Sequence, residues 1–141
     1  MQKTKLELLT ICDYALISQD NKLSIIGTFD QIFVTNLPSS HPQFYIVGIL
    51  NGTAGKSEDL ALEIKTPSGI DAIPPQKLKV TIGPNGKSNI LANIGNLPIS
   101  EAGFFKIKLS NIDGVLGEKE FGVFRAGEQN LAQTSSKKYT N

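Results

Sequence analysis

The one histidine of the chain, His41, closes the run Ser39-Ser40-His41-Pro42. A serine nucleophile needs a base placed beside it, and an imidazole can serve near neutral pH. Two aspartates, Asp13 and Asp30, fall in strand-like segments on either side of a turn. Paired carboxylates can divide acid and base roles or hold a cation. Asp13, Asp30 and His41 are therefore the polar candidates for a small hydrolase or a ligand-binding enzyme. Each also has a plainer reading. No flanking signature marks either serine as a nucleophile. Pro42 fixes the backbone beside His41, which suits an imidazole that orders a loop or bonds a carbonyl. The offsets of the two aspartates from the turn do not set them opposite one another, and strand aspartates often mark an exposed face.

Two Gly-Lys-Ser tripeptides occur, at Gly55-Lys56-Ser57 and Gly86-Lys87-Ser88. A phosphate loop needs a further glycine five positions earlier, where this chain has Leu50 and Thr81, and a helix afterwards. Both tripeptides read as turns. Cys12 is the one cysteine, so no intramolecular disulfide can form, and no Cys/His cluster marks a zinc site. Asp13 beside it opposes formation of a thiolate, so a buried, inert thiol is expected. A cation- or lipid-binding sandwich of the C2 type would need clustered loop aspartates; Asp20, Asp59, Asp71 and Asp113 are dispersed. No metal or cofactor is expected.

The net charge is +1, from 14 basic and 13 acidic residues. Such a balance gives no field that would steer the protein onto nucleic acid or an anionic membrane. Lys77, Lys79, Lys106 and Lys108 fall on outward parities, but Glu63, Glu118 and Glu120 are expected among them. Apolar runs are a few residues long, far short of the roughly 20 that a spanning helix needs. The start Met1-Gln2-Lys3-Thr4-Lys5 shows no signal-peptide pattern. The expectation is a cytoplasmic protein, in which the sequon Asn51-Gly52-Thr53 is idle.

What would position any of these residues is a succession of strands. Leu60, Leu62 and Ile64 alternate with Ala61, Glu63 and Lys65; Phe105, Ile107 and Leu109 alternate with Lys106 and Lys108. Period two is the mark of a half-buried strand, and no segment keeps a helical period over three turns. Turn clusters such as Gly83-Pro84-Asn85-Gly86 and Asn111-Ile112-Asp113-Gly114 separate the strands. The pattern predicts an all-β domain over residues 1–125, an antiparallel β-sandwich of about eight strands, immunoglobulin-like or Greek-key/jelly-roll. Residues 126–141 are polar and are expected to form a mobile tail.

The first segments differ from the later ones. Leu6 to Ile17 and Lys22 to Thr35 read as one long hairpin, with Gly27 inside its second strand marking a bulge or a close backbone approach. Both parities of this hairpin carry large aliphatic residues. If Leu9, Ile11, Ile26, Ile32 and Val34 shared an outer face, they would form an apolar interface for a protein partner or a second copy. A bulge near Gly27 that turned each half inward would remove that patch.

The run Ile11-Cys12-Asp13-Tyr14-Ala15, the segment Lys22 to Asp30, and His41-Pro42-Gln43-Phe44-Tyr45 resemble a family of short bacterial proteins of unknown function. That family carries a CDYA motif and an all-β domain. The resemblance implies a bacterial origin and a cytosolic location, and no reaction. Separately, Ala102-Gly103-Phe104-Phe105 and Glu120-Phe121-Gly122-Val123-Phe124 resemble the last hairpin of immunoglobulin-like sandwiches, with Phe where a corner tyrosine often stands. The sequence thus points to a non-enzymatic protein-binding or assembly module, with the hydrolase and the C2-like sandwich as rivals.

Overall fold

The computed structural model describes residues 3–126, and eleven strands run through them. They are β1 (Lys5–Ile17), β2 (Leu23–Thr28), β3 (Gln31–Val34), β4 (Ser39–His41), β5 (Phe44–Asn51) and β6 (Ser57–Lys65). Then follow β7 (Gln76–Thr81), β8 (Lys87–Ile94), β9 (Leu97–Ile99), β10 (Gly103–Asn111) and β11 (Gly114–Arg125). One sheet has the order β2-β1-β5-β8, the other β3-β11-β10-β6-β7, and β4 pairs with β9 in a small third sheet. The architecture is the expected all-β sandwich. Three short strands account for the larger count. The expected mobile tail falls, from residue 127 onward, outside the described residues.

The alternation read from the sequence is what fills the core. Leu60, Leu62 and Ile64 of β6 and Phe105, Ile107 and Leu109 of β10 are buried, facing Phe44, Ile46 and Leu50 of β5. Phe105 and Phe121, cross-strand partners on β10 and β11, stack with centroids 5.3 Å apart. Burying a side chain of this size stabilises the fold by about 1.5–3 kcal/mol, so these inward rows dominate.

The expected single strand from Lys22 to Thr35 is two strands in two sheets. Phe29 N–H still donates to the Ile11 carbonyl at 3.2 Å, on the β1 side. One residue later, Gly122 N–H donates to the Asp30 carbonyl at 2.8 Å, on the β11 side. The chain therefore crosses the sandwich at Phe29–Asp30. Beyond the crossing, β3 lies parallel to β11, so the sandwich is not wholly antiparallel. The crossing carries Ile32 and Val34 into the core. Ile11 lies there too, and Leu9 packs against it partly buried. Of the five apolar interface candidates, Leu9, Ile11, Ile26, Ile32 and Val34, only Ile26 is exposed, and they share no outer face.

The other parity of β1 and β5 is covered from outside. Cys12 and Val47 are fully buried, joined by Ala15, with Leu23, Ile25, Tyr45 and Leu91 packed around them. Toward the tip of the β1–β2 hairpin, Asn21 and Leu23 line one depression with Glu7, Ile49 and Lys87. Glu7 and Ile49 belong to the far end of the β1–β5 ladder, so the hairpin is folded back over the outer face of its own sheet. Ala15, Leu23 and Ile25 face down; Tyr14, Leu16 and Ile26, and Ile17 near the tip, are left exposed. Gly27 sits at the base of this fold with φ +71°. A Cβ there would lie 2.8 Å from a carboxylate oxygen of Asp13.

One end of the sandwich is tied by a buried carboxylate. Glu58 accepts from the Thr4 hydroxyl, from Asn111 Nδ2 at 3.3 Å, and from Lys56 Nζ at 3.2 Å. Burial pushes its carboxyl up, but the bonds from Thr4, Lys56 and Asn111 outweigh that and hold it below the usual range. The network joins the start of β1, the β5–β6 loop and the end of β10.

Two outcomes follow from these observations. Gly27→Ala forces a left-handed backbone on an L-residue, which costs about 1–2 kcal/mol, most of it strain because the Asp13 side chain can move aside. Gly95→Ala, in open space at an ordinary φ, should stay within about 0.5 kcal/mol of wild type by urea denaturation. For Glu58, the folded state binds its proton less readily than the unfolded chain, so the stabilisation is present at neutral pH. It is lost as pH falls through and below the ordinary carboxylate range. Glu58→Gln should be about 1–2 kcal/mol less stable at pH 7. That gap should close in acid, as read from denaturation midpoints across the pH series.

Candidate functional site

The polar candidates are placed by three different elements. Asp13 is exposed on β1 at the base of the folded hairpin. His41 ends β4, whose partner β9 sets His41 opposite Leu97 and Ser40 opposite Pro98. The expected Pro/Ser loop around His41 is thus a short strand, held because β9 supplies its backbone partners. The imidazole is half-buried against Phe29 and Phe44, with ring centroids 5.6 and 5.5 Å away, and the two phenyl rings lie 6.1 Å from each other. Burial pushes it toward the neutral form, and the negative charge of Asp13 partly opposes this. Asp13 and His41 are therefore brought within electrostatic reach, but no hydrogen bond joins them. Nor does a serine hydroxyl bond the imidazole among the described residues. The side chain of Asp30 is exposed in a shallow depression with Thr10, Phe29 and Lys119. No group of three His, Cys, Asp or Glu residues that could hold a metal ion occurs among the described residues.

The remaining sequence candidates have ordinary partners. The Cys12 thiol lies against the Tyr14 and Tyr45 carbonyls, 3.3 and 3.9 Å away, and burial pushes its pKa up. Each Gly-Lys-Ser tripeptide leads into a strand. Lys56 is paired with Glu58, and Lys87 with Glu7 at 2.9 Å. The lysine face is interspersed with acids, as in the pairs Lys65–Glu63 at 3.3 Å and Lys106–Glu118 at 3.8 Å.

Two apolar surfaces stand out instead. On the folded-back hairpin, Tyr14 and Ile26 are cross-strand partners, exposed by 46% and 57%, and Leu16 follows on the same side at 37%. Tyr14 also meets Tyr45 edge-on at 5.4 Å. Of the sequence candidates only Ile26 belongs here; Tyr14 and Leu16 were legible from their shared even parity but not from their exposure. On the outer side of the other sheet, Phe33 and Phe104 flank Phe124 at 5.9 and 6.1 Å. Their rings close over Gly122, where a Cβ would meet Phe124 at 2.7 Å and Phe104 at 3.2 Å. The signal for this cluster was the pair Phe104-Phe105, because adjacent strand residues must face opposite sides.

Comparison with known proteins adds the following. An immunoglobulin-like protein from Pseudomonas aeruginosa matches 86% of this chain and 96% of its own, at 16% identity and a TM-score of 0.45. A β-glucosidase from Listeria innocua matches 87% of this chain, at 8% identity and a TM-score of 0.47. This chain spans 16% of that enzyme. No functionally curated protein matches the sequence. A family model does match, over residues 7–123, which includes every strand of the sandwich in whole or in part: the chain belongs to DUF6941, a family of unknown function.

Proposed function

We propose that the protein is a non-enzymatic binding or assembly module that engages a protein partner through the exposed side of its first hairpin. One observation carries this reading. Tyr14, Leu16 and Ile26 stand side by side, each more than a third exposed, on a segment that has already spent its other side on covering Cys12 and Val47. Contiguous exposed apolar side chains on a soluble domain mark contact surfaces. Tyrosine suits such a place because its ring buries area while its hydroxyl stays wet.

The polar residues favour this reading over the hydrolase. A general base must reach the proton it takes, and His41 packs against two phenyl rings and has no hydroxyl bonded to it among the described residues. Asp30 projects into a separate depression beside Lys119. Fold likeness to parts of glycosidases is no guide here, since unrelated activities share sandwich folds.

Affinity capture from a native host with wild type, Ile26→Lys and His41→Ala tests the proposal. Wild type and His41→Ala should recover the same partner, and Ile26→Lys, folded by NMR, should lose it by tenfold or more. Recovery unchanged in Ile26→Lys would remove the hairpin as the contact surface. A substrate turned over by wild type and not by folded His41→Ala would establish the enzyme reading instead.

A further inference from the structure

Each of the two large sheets ends in two edge strands, and an edge strand offers unpaired N–H and C=O groups to any other strand. The four edges differ in how well they could take one. β2 is interrupted at Gly27, with φ +71°. β3 is four residues long and follows Asp30. β7 carries Lys77 and Lys79. β8 is the regular one. It pairs with β5 over all eight of its residues, with no bulge, and holds no proline. Its one charge is Lys87 at the very start, where the ammonium is bound to Glu7 at 2.9 Å and the carbonyl accepts from Gly83 N–H at 2.8 Å. From Ser88 to Ile94 no strand and no backbone hydrogen bond lies on the free side among the described residues.

The side chains of this run are arranged about Leu91. Asn89 and Asn93 stand two residues to either side of it and share its outward parity, while Ile90, Ala92 and Ile94 are buried in the core. Asparagine is a poor strand former, so two in one short strand call for a reason. Neither side-chain amide bonds another protein group among the described residues. An amide both donates and accepts, so a second asparagine complements it, as a like charge facing a like charge would not.

We propose that β8 is a self-pairing edge: two copies of the chain join by antiparallel pairing of their β8 strands, with Leu91 on the two-fold axis. A two-fold through the sheet keeps outward side chains outward, and residues opposed in an antiparallel ladder share a face. The axis must therefore pass through a residue and not between two. Centred on Ile90 it would oppose Asn89 to Leu91, and centred on Ala92 it would oppose Leu91 to Asn93. Centred on Leu91 it matches like with like. Leu91 meets its copy, each Asn89 meets an Asn93, and Ile90 meets Ala92 on the core side. Lys87 falls opposite Gly95, where a Cβ would meet open space, so no like charges face each other. The two β2-β1-β5-β8 sheets become one, with the backbone bonds of strand addition along the seam. This goes beyond the reading of the hairpin as a contact surface: the seam does not use Tyr14, Leu16 or Ile26, and the dimer carries two such surfaces.

Sedimentation equilibrium over a micromolar to near-millimolar series reads the mass, and amide exchange over the same series reads the edge. The expected result is twice the mass of one chain at high concentration, with protection across residues 88–94 rising as the dimer forms. The register supplies a charge test. Asn89→Lys with Asn93→Lys sets lysine against lysine at both ends of the seam and should weaken the dimer by tenfold or more. Asn89→Lys with Asn93→Glu sets lysine against glutamate at both ends and should restore it. Neither position is buried, so the single chain should fold with either pair of changes. Ile26→Lys should leave the mass at two chains. A dimer that survives the folded double-lysine variant, that the lysine–glutamate variant fails to restore, or that folded Ile26→Lys dissolves would overturn the pairing. So would a wild type that stays monomeric throughout. If that monomer still captured an Ile26-dependent partner, the binding-module reading would stand and the β8 seam alone would be excluded.

Discussion

Both faces of the β2-β1-β5-β8 sheet are apolar, and that is the constraint the rest of the structure answers. One face meets the second sheet in the ordinary way of a sandwich. The other face, with Cys12, Val47 and Leu91, has no second sheet to meet, so the chain covers it with its own first hairpin. The covering works only if the β1–β2 ladder bends sharply, and Gly27 at φ +71°, pressed against Asp13, is where a side chain would obstruct it. Immediately afterwards the chain must reach the opposite sheet, which it does at Phe29–Asp30. A cover, a bend and a crossing are packed into residues 12–31.

This solution decides the surface chemistry. A hairpin used as a cover has one apolar side spent and one left over. The leftover side carries Tyr14, Leu16 and Ile26. The polar residues near the bend serve the packing. Phe29 fills the space beside His41 and Phe44, so the imidazole is held by rings and not by acids. Asp13 stays in water beside Gly27. The Glu58 network closes one end of the sandwich with a charge whose hydrogen-bonding capacity is used by Thr4, Lys56 and Asn111.

Much of this was legible in the sequence, and the limits have physical causes. Period two placed β6, β7 and β10, because each has one wetter face and one dry. The same rule failed from Lys22 to Thr35. Ile25 and Val34 belong to different sheets, so a parity counted across Phe29–Asp30 has no meaning, and Ile32 and Val34 went to the wrong side. The strands β4 and β9 are three residues each, too short for any period. Gly27 was visible as an irregularity, but a glycine in a strand does not say whether the chain bulges or leaves the sheet. The apolar excess on both parities was the true signal. It marked a face that needed a cover, and the sequence held no indication that the cover was the hairpin itself.

The folded-back hairpin is the claim from which the others descend, and methyl nuclear Overhauser contacts in solution test it most directly. The account predicts contacts from Leu23 and Ile25 to Val47 and Leu91, with a further one from Leu23 to Ile49. It also predicts none from Ile26 to those residues. A spectrum in which Leu23 and Ile25 contact only β1, with Val47 and Leu91 open to a solvent relaxation agent, would contradict it.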